Sequence, residues 1–233
     1  MTRVVVTGAS QGIGAAIAEA FASEADARLV LAARNRENLE AVARRCRARG
    51  ARTLVHPCDV TDADSVVALA EATSRAFGAP DVLVNNAGVF AAASFAETRL
   101  ADLRWQLDVN LVSAFLVTKA FLGPMLARRA GTIFFLGSIA SLRGYPRGAA
   151  YAAAKHGLLG LARTLREETK PAGIRVTTVF PGATLTPSWD DFDGPAERLM
   201  PAEDLAQAIV DIHRLSGRSV VEEILLRPQR GDL

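Results

Sequence analysis

Short apolar runs alternate with longer stretches of helical periodicity along almost the whole chain. Most of the short runs are continuously apolar, a pattern typical of strands that helices cover on both faces. Their alternation with helices predicts an α/β fold, a doubly wound parallel sheet of about seven strands with helices on both faces. The predicted strands are residues 3–7, 28–33, 53–56, 82–85, 132–136, 175–179 and 220–226.

We expect the whole chain, residues 1–233, to form a single Rossmann-type domain. The sequence contains neither a low-complexity linker nor an internal repeat, and its length suits one or two domains. In such a sheet, ligands bind beyond the carboxyl ends of the strands. Functional residues are therefore expected just after strands or at the starts of helices.

A glycine-rich turn, TGASQGIG at residues 7–14, follows the first predicted strand and opens a helix. Gly8, Gly12 and Gly14 permit a tight turn and a close approach of the backbone to a ligand. The helix start then offers free N–H groups and a partial positive charge to a diphosphate. The position of the turn between an apolar strand and a helix favours a dinucleotide, although glycines can also end a strand for steric reasons. The Gly-Lys-Ser/Thr ending of a nucleoside-triphosphate loop is not found, which argues against such a loop.

The residues after the second predicted strand indicate which dinucleotide binds. Sites for NAD usually carry a carboxylate there, which binds the ribose 2′-hydroxyl. This chain instead has Arg34, and a guanidinium pairs well with a 2′-phosphate. The sequence thus predicts that NADP(H) is preferred, with NAD(H) as the alternative, and that Arg34 contacts the phosphate.

Tyr151 and Lys155 stand one helical turn apart, and the chain contains only two tyrosines and three lysines. A separation of four residues places both side chains on one face of a helix. A nearby ammonium favours the phenolate form of tyrosine and would make it useful in proton transfer near neutral pH. Taken alone, two helix residues meeting by chance is an equally good explanation.

In order and spacing, the motifs resemble those of the classical short-chain dehydrogenases/reductases over essentially the whole chain. The resemblance rests on TGxxxGxG at 7–14, Asn85-Asn86-Ala87-Gly88, Asn110, Ser138, Tyr151-x-x-x-Lys155, and Pro181-Gly182 followed by Thr186. It implies an oxidoreductase that interconverts a small-molecule carbonyl and a secondary alcohol.

The resemblance implies a role for each of four residues. Tyr151 is the expected general acid in carbonyl reduction and the base in alcohol oxidation. Lys155 is expected to lower the pKa of Tyr151 and to bind the nicotinamide ribose. Ser138 is expected to hold the substrate oxygen, and Asn110 to hold a water that links Lys155 to solvent.

The same resemblance implies the positions that contact the cofactor. These are Gly8, Ser10, Gly12, Ile13 and Gly14 at the diphosphate, Asp59 and Val60 at the adenine, Asn86, Ala87 and Gly88 at the adenosine, and Pro181, Gly182 and Thr186 at the nicotinamide, besides Arg34, Tyr151 and Lys155. Unlike many NADP-preferring relatives, this chain has no basic residue inside the glycine-rich turn, which keeps NAD(H) open.

The segment expected to cover the substrate, residues 187–200, is short and predicts an open or shallow pocket. Phe90, Gly144, Tyr145 and Trp189 are the residues we expect around the substrate. His156 adjoins Lys155 but points about 100° away on a helix, so we interpret it as a structural or surface residue.

The helix predicted at residues 102–129 is apolar on more than one face. One stripe contains Trp105, Val112 and Leu116, and another contains Phe115 and Phe121. One face would cover the sheet, and the other would either be fully internal or contact a second subunit. We expect a homodimer or a homotetramer.

Composition excludes several other classes of protein. The net charge is only +2, and the arginine-rich run at 44–49 is local, so no nucleic acid is expected. We expect no apolar run long enough to cross a membrane, and there is no signal-peptide pattern. Cys46 and Cys58 lack the spacing of metal ligands or of a disulfide framework, which fits a cytoplasmic protein with no metal.

The sequence is also compatible with a second class of function. A protein with this fold can bind the cofactor and act as a regulator or scaffold without catalysis. Such proteins usually lack the tyrosine or the lysine of the active site, and both are present here.

Overall fold

A computed structural model describes residues 1–189 and 192–231 of the chain. One parallel sheet with strand order β3-β2-β1-β4-β5-β6-β7 forms its centre, which confirms the predicted fold class. The strands are β1 Thr2–Thr7, β2 Ala27–Ala33, β3 Arg52–Pro57, β4 Val82–Asn85, β5 Gly131–Leu136, β6 Ile174–Pro181 and β7 Glu223–Leu226. The last strand was predicted to start at residue 220 but pairs with β6 only from Glu223 onwards.

Helices cover both faces of this sheet. They are α1 Gly12–Phe21, α2 Arg36–Ala48, α3 Ala63–Phe77, α4 Leu100–Leu107, α5 Ser113–Arg128, α6 Ala149–Thr169 and α7 Ala202–Arg214. Val4 and Val6 of β1 pack with α1, α2 and α7, whereas Val5 packs with α3, α5 and α6. Because neighbouring strand residues point to opposite covered faces, the strands are apolar without interruption.

Side chains and glycines fix where the helices begin and end. The Asn35 Oδ1 accepts a hydrogen bond of 3.0 Å from the Asn38 amide at the start of α2. The Asp62 carboxylate accepts one of 3.0 Å from the Asp64 amide at the start of α3. Gly78, with φ +80°, ends α3 in a conformation that other residues rarely adopt.

Helices α4 and α5 are joined by a π turn, Asp108–Val112, into one helical run from Leu100 to Arg128. This run is 29 residues long and contains an 18-residue window with a mean hydropathy of 1.6, so by length and composition alone it could cross a membrane. The prediction that no apolar run is long enough was therefore wrong. Its buried face, which includes Val117, Phe121 and Met125, packs in the core beneath the sheet, as core helices do.

The exposed side of α5 differs from the predicted stripes. Phe121 is buried, but Phe115, which was grouped with it, is 46 % exposed. Six residues do not complete a whole number of helical turns, so the two rings cannot share a face.

Candidate active site

The carboxyl ends of the central strands open into one cleft of about 1310 Å3. This exceeds the usual volume of a small-ligand pocket and leaves room for a dinucleotide beside a small substrate. Every residue predicted for the site lines it: Gly8, Ser10, Gly12, Ile13, Gly14, Arg34, Asp59, Val60, Asn86, Ala87, Gly88, Asn110, Ser138, Tyr151, Lys155, Pro181, Gly182 and Thr186. The cleft lies where β1 meets β4, the point at which the strand order reverses.

The glycine-rich turn between β1 and α1 depends on the absence of side chains. Gly8 has φ +65° and Gly12 has φ +55°, a region that favours glycine. A Cβ atom on Gly14 would lie 2.3 Å from the Gly8 carbonyl oxygen and 2.4 Å from the Asn86 Nδ2. The turn and the helix start are therefore in contact, and only glycine fits between them.

Asn86 ties this turn to the end of β4. Its Nδ2 donates hydrogen bonds to the carbonyls of Thr7, at 2.9 Å, and Gly8, at 3.2 Å. The Thr7 hydroxyl in turn accepts from the amides of Asn86 and Ala87, at 3.1 and 3.2 Å. The Asn86 side chain therefore supports the shape of the turn, although the residue also lines the cleft.

The start of α1 suits a phosphate group. Its N-cap residue Gln11 makes no side-chain hydrogen bond to the helix, and the first turn contains no acidic residue. The first N–H groups thus keep their partial positive charge facing the cleft. Together with the closely packed glycines, this arrangement fits the diphosphate of a nicotinamide dinucleotide.

Arg34 follows β2 at the far end of the cleft. Its guanidinium is exposed, and within residues 1–189 and 192–231 it has neither a hydrogen bond nor an ion pair. Hydrogen bonds from the Thr61 hydroxyl and amide lower the pKa of the nearby Asp59, and the charge of Arg34 lowers it further. The charges of Arg34 and Asp59 thus interact, and both residues line the cleft in which the adenosine is expected.

Tyr151 and Lys155 lie on the first turns of α6, and the Lys155 side chain is buried. The Lys155 Nζ lies 5.5 Å from the centroid of the Tyr151 ring. It donates a hydrogen bond of 2.7 Å to the Leu136 carbonyl at the end of β5. The predicted helical pair therefore meets at the carboxyl end of the sheet.

Burial decides the proton affinities of this pair. It raises the pKa of Tyr151 above its ordinary value, and a hydrogen bond with Ser138 offsets only part of that rise. It also lowers the pKa of Lys155 to about 8. The pKa of Tyr151 is therefore not lowered below its ordinary value, because burial outweighs the hydrogen bond with Ser138.

Ser138 is held rigidly where the chain leaves β5. Its backbone is extended, and its Oγ accepts a hydrogen bond of 3.1 Å from the Ala140 amide. Its own amide donates to the Ser141 Oγ at 3.2 Å. These bonds fix the Ser138 hydroxyl beside the Tyr151 hydroxyl, with which it is hydrogen-bonded.

Asn110 lies in the π turn and is buried. Its Oδ1 accepts a hydrogen bond of 3.1 Å from the Val89 amide, and its Nδ2 donates to the Val89 carbonyl at 3.0 Å. A Cβ on Gly88 would lie 2.8 Å from the Asn110 Oδ1 and 3.6 Å from the Lys155 Nζ. Asn110 thus reaches the vicinity of Lys155, with its amide bonded to the loop after β4.

The structure also places residues that sequence reasoning missed. Gln106, one turn before Asn110, is buried and donates a hydrogen bond of 3.0 Å from Nε2 to the Ala91 carbonyl. Trp105 joins the expected Phe90, Tyr145 and Trp189 along the cleft, whereas Gly144 and His156 do not line it. No motif predicts these hydrogen bonds between side-chain amides of the helix and the backbone of the loop, because the course of the loop cannot be deduced from the sequence.

The segment predicted to cover the substrate contains two short 3-10 turns, Pro187–Trp189 and Ala196–Arg198. Trp189 and Phe192 pack edge to face, with ring centroids 5.6 Å apart. Part of this predicted segment, Asp190 and Asp191, lies outside the described residues.

The fold and the site define a dinucleotide-binding oxidoreductase with a tyrosine–lysine pair at its centre. A sequence model of the short chain dehydrogenase family matches residues 2–194. The chain belongs to the short-chain dehydrogenase/reductase family.

Known proteins similar to this chain include enzymes and NADP complexes. A sepiapterin reductase of Chlorobaculum tepidum is 35 % identical over 99 % of this chain and 97 % of its own length. An alcohol dehydrogenase from the archaeon Thermococcus sibiricus, complexed with 5-hydroxy-NADP, superposes with a TM-score of 0.92 at 31 % identity, covering 98 % and 97 % of the two chains. A metagenomic short-chain oxidoreductase in complex with NADP gives a TM-score of 0.87 at 35 % identity, with the same two coverages.

Proposed function

We propose that this protein is an NADP(H)-dependent oxidoreductase that interconverts a carbonyl and a secondary alcohol, with Tyr151 as the general acid and base. The observation that carries the proposal is the joint position of Ser138, Tyr151 and Lys155 beside the glycine-rich turn in one cleft. The similarity to a sepiapterin reductase and to an alcohol dehydrogenase supports the same chemistry.

When bound, the nicotinamide supplies a hydride to the carbonyl carbon or accepts one from the alcohol carbon. In the reductive direction, the Tyr151 hydroxyl gives its proton to the carbonyl oxygen, and the alcohol is released. The Ser138 hydroxyl donates a hydrogen bond to that same oxygen, where negative charge develops. The Tyr151 pKa is raised, so this residue is protonated at neutral pH and ready to act as the acid.

Lys155 serves the pair as a buried cation. With a pKa of about 8 it is mostly protonated at pH 7, and it stabilises the Tyr151 phenolate that forms after proton transfer. Its side chain also carries donors toward the position expected for the nicotinamide ribose. Asn110, with its amide fixed on Val89, lies where it would hold a water beside Lys155.

NADP(H) is the cofactor we propose over NAD(H). Arg34 follows β2 with no carboxylate next to it in the sequence, and its exposed guanidinium suits bidentate pairing with a 2′-phosphate. The neighbouring solved structures that contain NADP or 5-hydroxy-NADP are consistent with this preference.

The proposal is tested by following the oxidation of NADPH with a panel of ketones. Tyr151→Phe removes the proton donor and is expected to reduce kcat by about 10²–10⁴-fold, with little change in the Kd for NADPH. Tyr145→Phe is the matched control, because it removes the other tyrosine hydroxyl of the cleft. Full activity of Tyr151→Phe would refute the mechanism, and tight NADPH binding without turnover of any ketone would favour a regulator.

We also propose that two copies associate through the exposed side of α5. Phe115 and Leu126 are exposed apolar residues on that side, and the Lys119 ammonium lies 5.7 Å from the Phe115 ring centroid. A helix that covers the sheet with one face and exposes apolar residues on the other is suited to contact a second copy.

A further inference from the structure

The rarest aromatic side chains of this protein are gathered in one place. The chain contains two tyrosines and two tryptophans. All four line the cleft: Trp105, Tyr145, Tyr151 and Trp189. The largest fully buried side chains of the core are instead phenylalanine, leucine, isoleucine and methionine. Amphipathic rings are thus concentrated on the ligand-binding surface rather than in the core.

Phe90 is the ring that stands beside the proposed proton donor. Its centroid lies 5.1 Å from that of Tyr151, edge to face, and 6.4 Å from that of Tyr145. Phe90 is nevertheless 50 % exposed, and Tyr145 is 38 % exposed. A substantial area of aromatic surface is therefore open to the cleft next to the reacting hydroxyl.

Two amide side chains hold the backbone on either side of Phe90. Asn110 pairs with both the amide and the carbonyl of Val89, at 3.1 and 3.0 Å. Gln106 donates to the Ala91 carbonyl at 3.0 Å. Because the residues before and after Phe90 are fixed to one helical run, the position of the ring is set before any ligand arrives.

We propose that Phe90 and Tyr145 form an aromatic wall that binds a planar ring attached to the reacting carbonyl, so that aryl ketones and aryl carbinols are the substrate class. This inference rests on the proposed function and adds the substrate to it. Pairs of aromatic rings gain free energy beyond the area they bury, which a saturated ring of the same size does not. Gln106 acts in this arrangement as a positioning residue, since it touches the loop rather than the substrate.

The test compares acetophenone with cyclohexyl methyl ketone, which differ only in whether the ring is aromatic. The quantity measured is the ratio of the two kcat/KM values with NADPH. Phe90→Leu is expected to lower the ratio of the aryl to the saturated ketone roughly three- to tenfold. Phe90→Tyr is expected to keep it, because the ring is retained.

Phe95→Leu is the matched control. Phe95 is 85 % exposed and lies five residues from Phe90, outside the cleft. The Phe95→Leu variant should have the same ratio of kcat/KM values for the two ketones as the unaltered protein. Gln106→Leu should lower the ratio by a smaller factor while the Kd for NADPH stays unchanged, a result that general destabilisation would not give.

The outcomes separate the two proposals. If the unaltered protein and both leucine variants, Phe90→Leu and Phe95→Leu, turn over the two ketones with the same ratio of kcat/KM values, the aryl preference is overturned. The reductase function would then remain intact. Binding of NADPH without turnover of either ketone, or of any other on a broad panel, would overturn the proposed function and this inference with it.

Discussion

The Lys155 ammonium lies 5.5 Å from the centre of the Tyr151 ring and is hydrogen-bonded to the Leu136 carbonyl. The pair therefore shares one helix face, but the cation is anchored to the end of β5. Since Lys155 is 4 % exposed, its charge is held in the interior at a cost in stability.

We expect this cost to depend on pH. The Lys155 pKa is about 8 in the folded protein against 10.5 for an ordinary lysine, so between these values the unfolded chain binds more protons. Stability should accordingly rise with pH across that window, by at most about 1.4 kcal/mol per pH unit. Below pH 8 both states are protonated, and the full penalty is present.

Comparing the unaltered protein with the Lys155→Met variant measures this pH dependence of the free energy of unfolding. Denaturant unfolding from pH 7 to 10.5 should show the stability of the unaltered protein increasing relative to the variant by about 3 kcal/mol in total. The comparison cancels the opposite effect of Cys46, whose pKa burial raises to about 11 in both proteins. A difference between the two proteins that does not change with pH would show that Lys155 titrates normally.

Arg34 is expected to set the preference between the two nicotinamide cofactors. Arg34→Ala should weaken NADPH binding about 10- to 100-fold, because one charged hydrogen-bonding partner of the 2′-phosphate is lost, and should change NADH binding little. Fluorescence titration with both cofactors measures this. Arg36→Ala is the control, since Arg36 is exposed nearby but does not line the cleft; tighter binding of NADH by the unaltered protein would refute the assignment.

Gly14 is expected to tolerate no side chain. In Gly14→Ala the new methyl group would lie 2.3 Å from the Gly8 carbonyl oxygen, so the turn must shift at a cost of about 1–3 kcal/mol. Thermal unfolding and NADPH titration should both show a loss.

Gly160→Ala is the matched substitution for Gly14→Ala. Gly160 lies in the interior of α6, and a Cβ there would meet nothing within 4 Å. Alanine should therefore stabilise the helix by about 0.5–1 kcal/mol and leave cofactor binding unchanged. If both variants had the same thermal stability and the same affinity for NADPH, the close packing at Gly14 would not exclude a side chain.

Phe115 is expected to lie at the contact between two copies. Phe115→Glu would place a charge in that contact and should raise the dissociation constant of the dimer by about thirtyfold or more, as expected for a central interface residue. Light scattering across a range of concentrations measures the mass directly. Phe95→Glu should leave the mass unchanged, and a monomer in the unaltered protein would contradict the proposal.

The strands were predictable because their burial on both faces removes polar residues from them. Val4, Val5 and Val6 show this directly, since neighbouring residues pack on opposite sides of β1. The last strand was less predictable: β7 lies at the sheet edge, where its exposed Leu225 is not constrained by a helix.

Most site residues could be placed at the carboxyl end of the sheet because they follow a strand or start a helix. Asn110 lies within a helical run, and only the resemblance to the family indicated its position. The energetics of the site could not be predicted. The raised pKa of Tyr151 depends on burial, which no motif encodes. The π turn was also missed, because the sequence around Asn110 is compatible with an unbroken α-helix. Gln106 escaped notice for a similar reason: its partner, the Ala91 carbonyl, belongs to a loop whose path only the fold defines.

The π turn holds one residue more than an α-helical turn, because the Ser113 amide bonds to the carbonyl of Asp108, five residues back. The wide turn absorbs this residue, so α4 and α5 continue as one helical run around it. Asn110 stands on the widened turn and contacts Val89 with both polar atoms of its side chain. Deleting a residue beside Asn110 would narrow the turn to an ordinary α-helical one and withdraw Asn110 from Val89, while Phe115 would stay on the exposed side of α5.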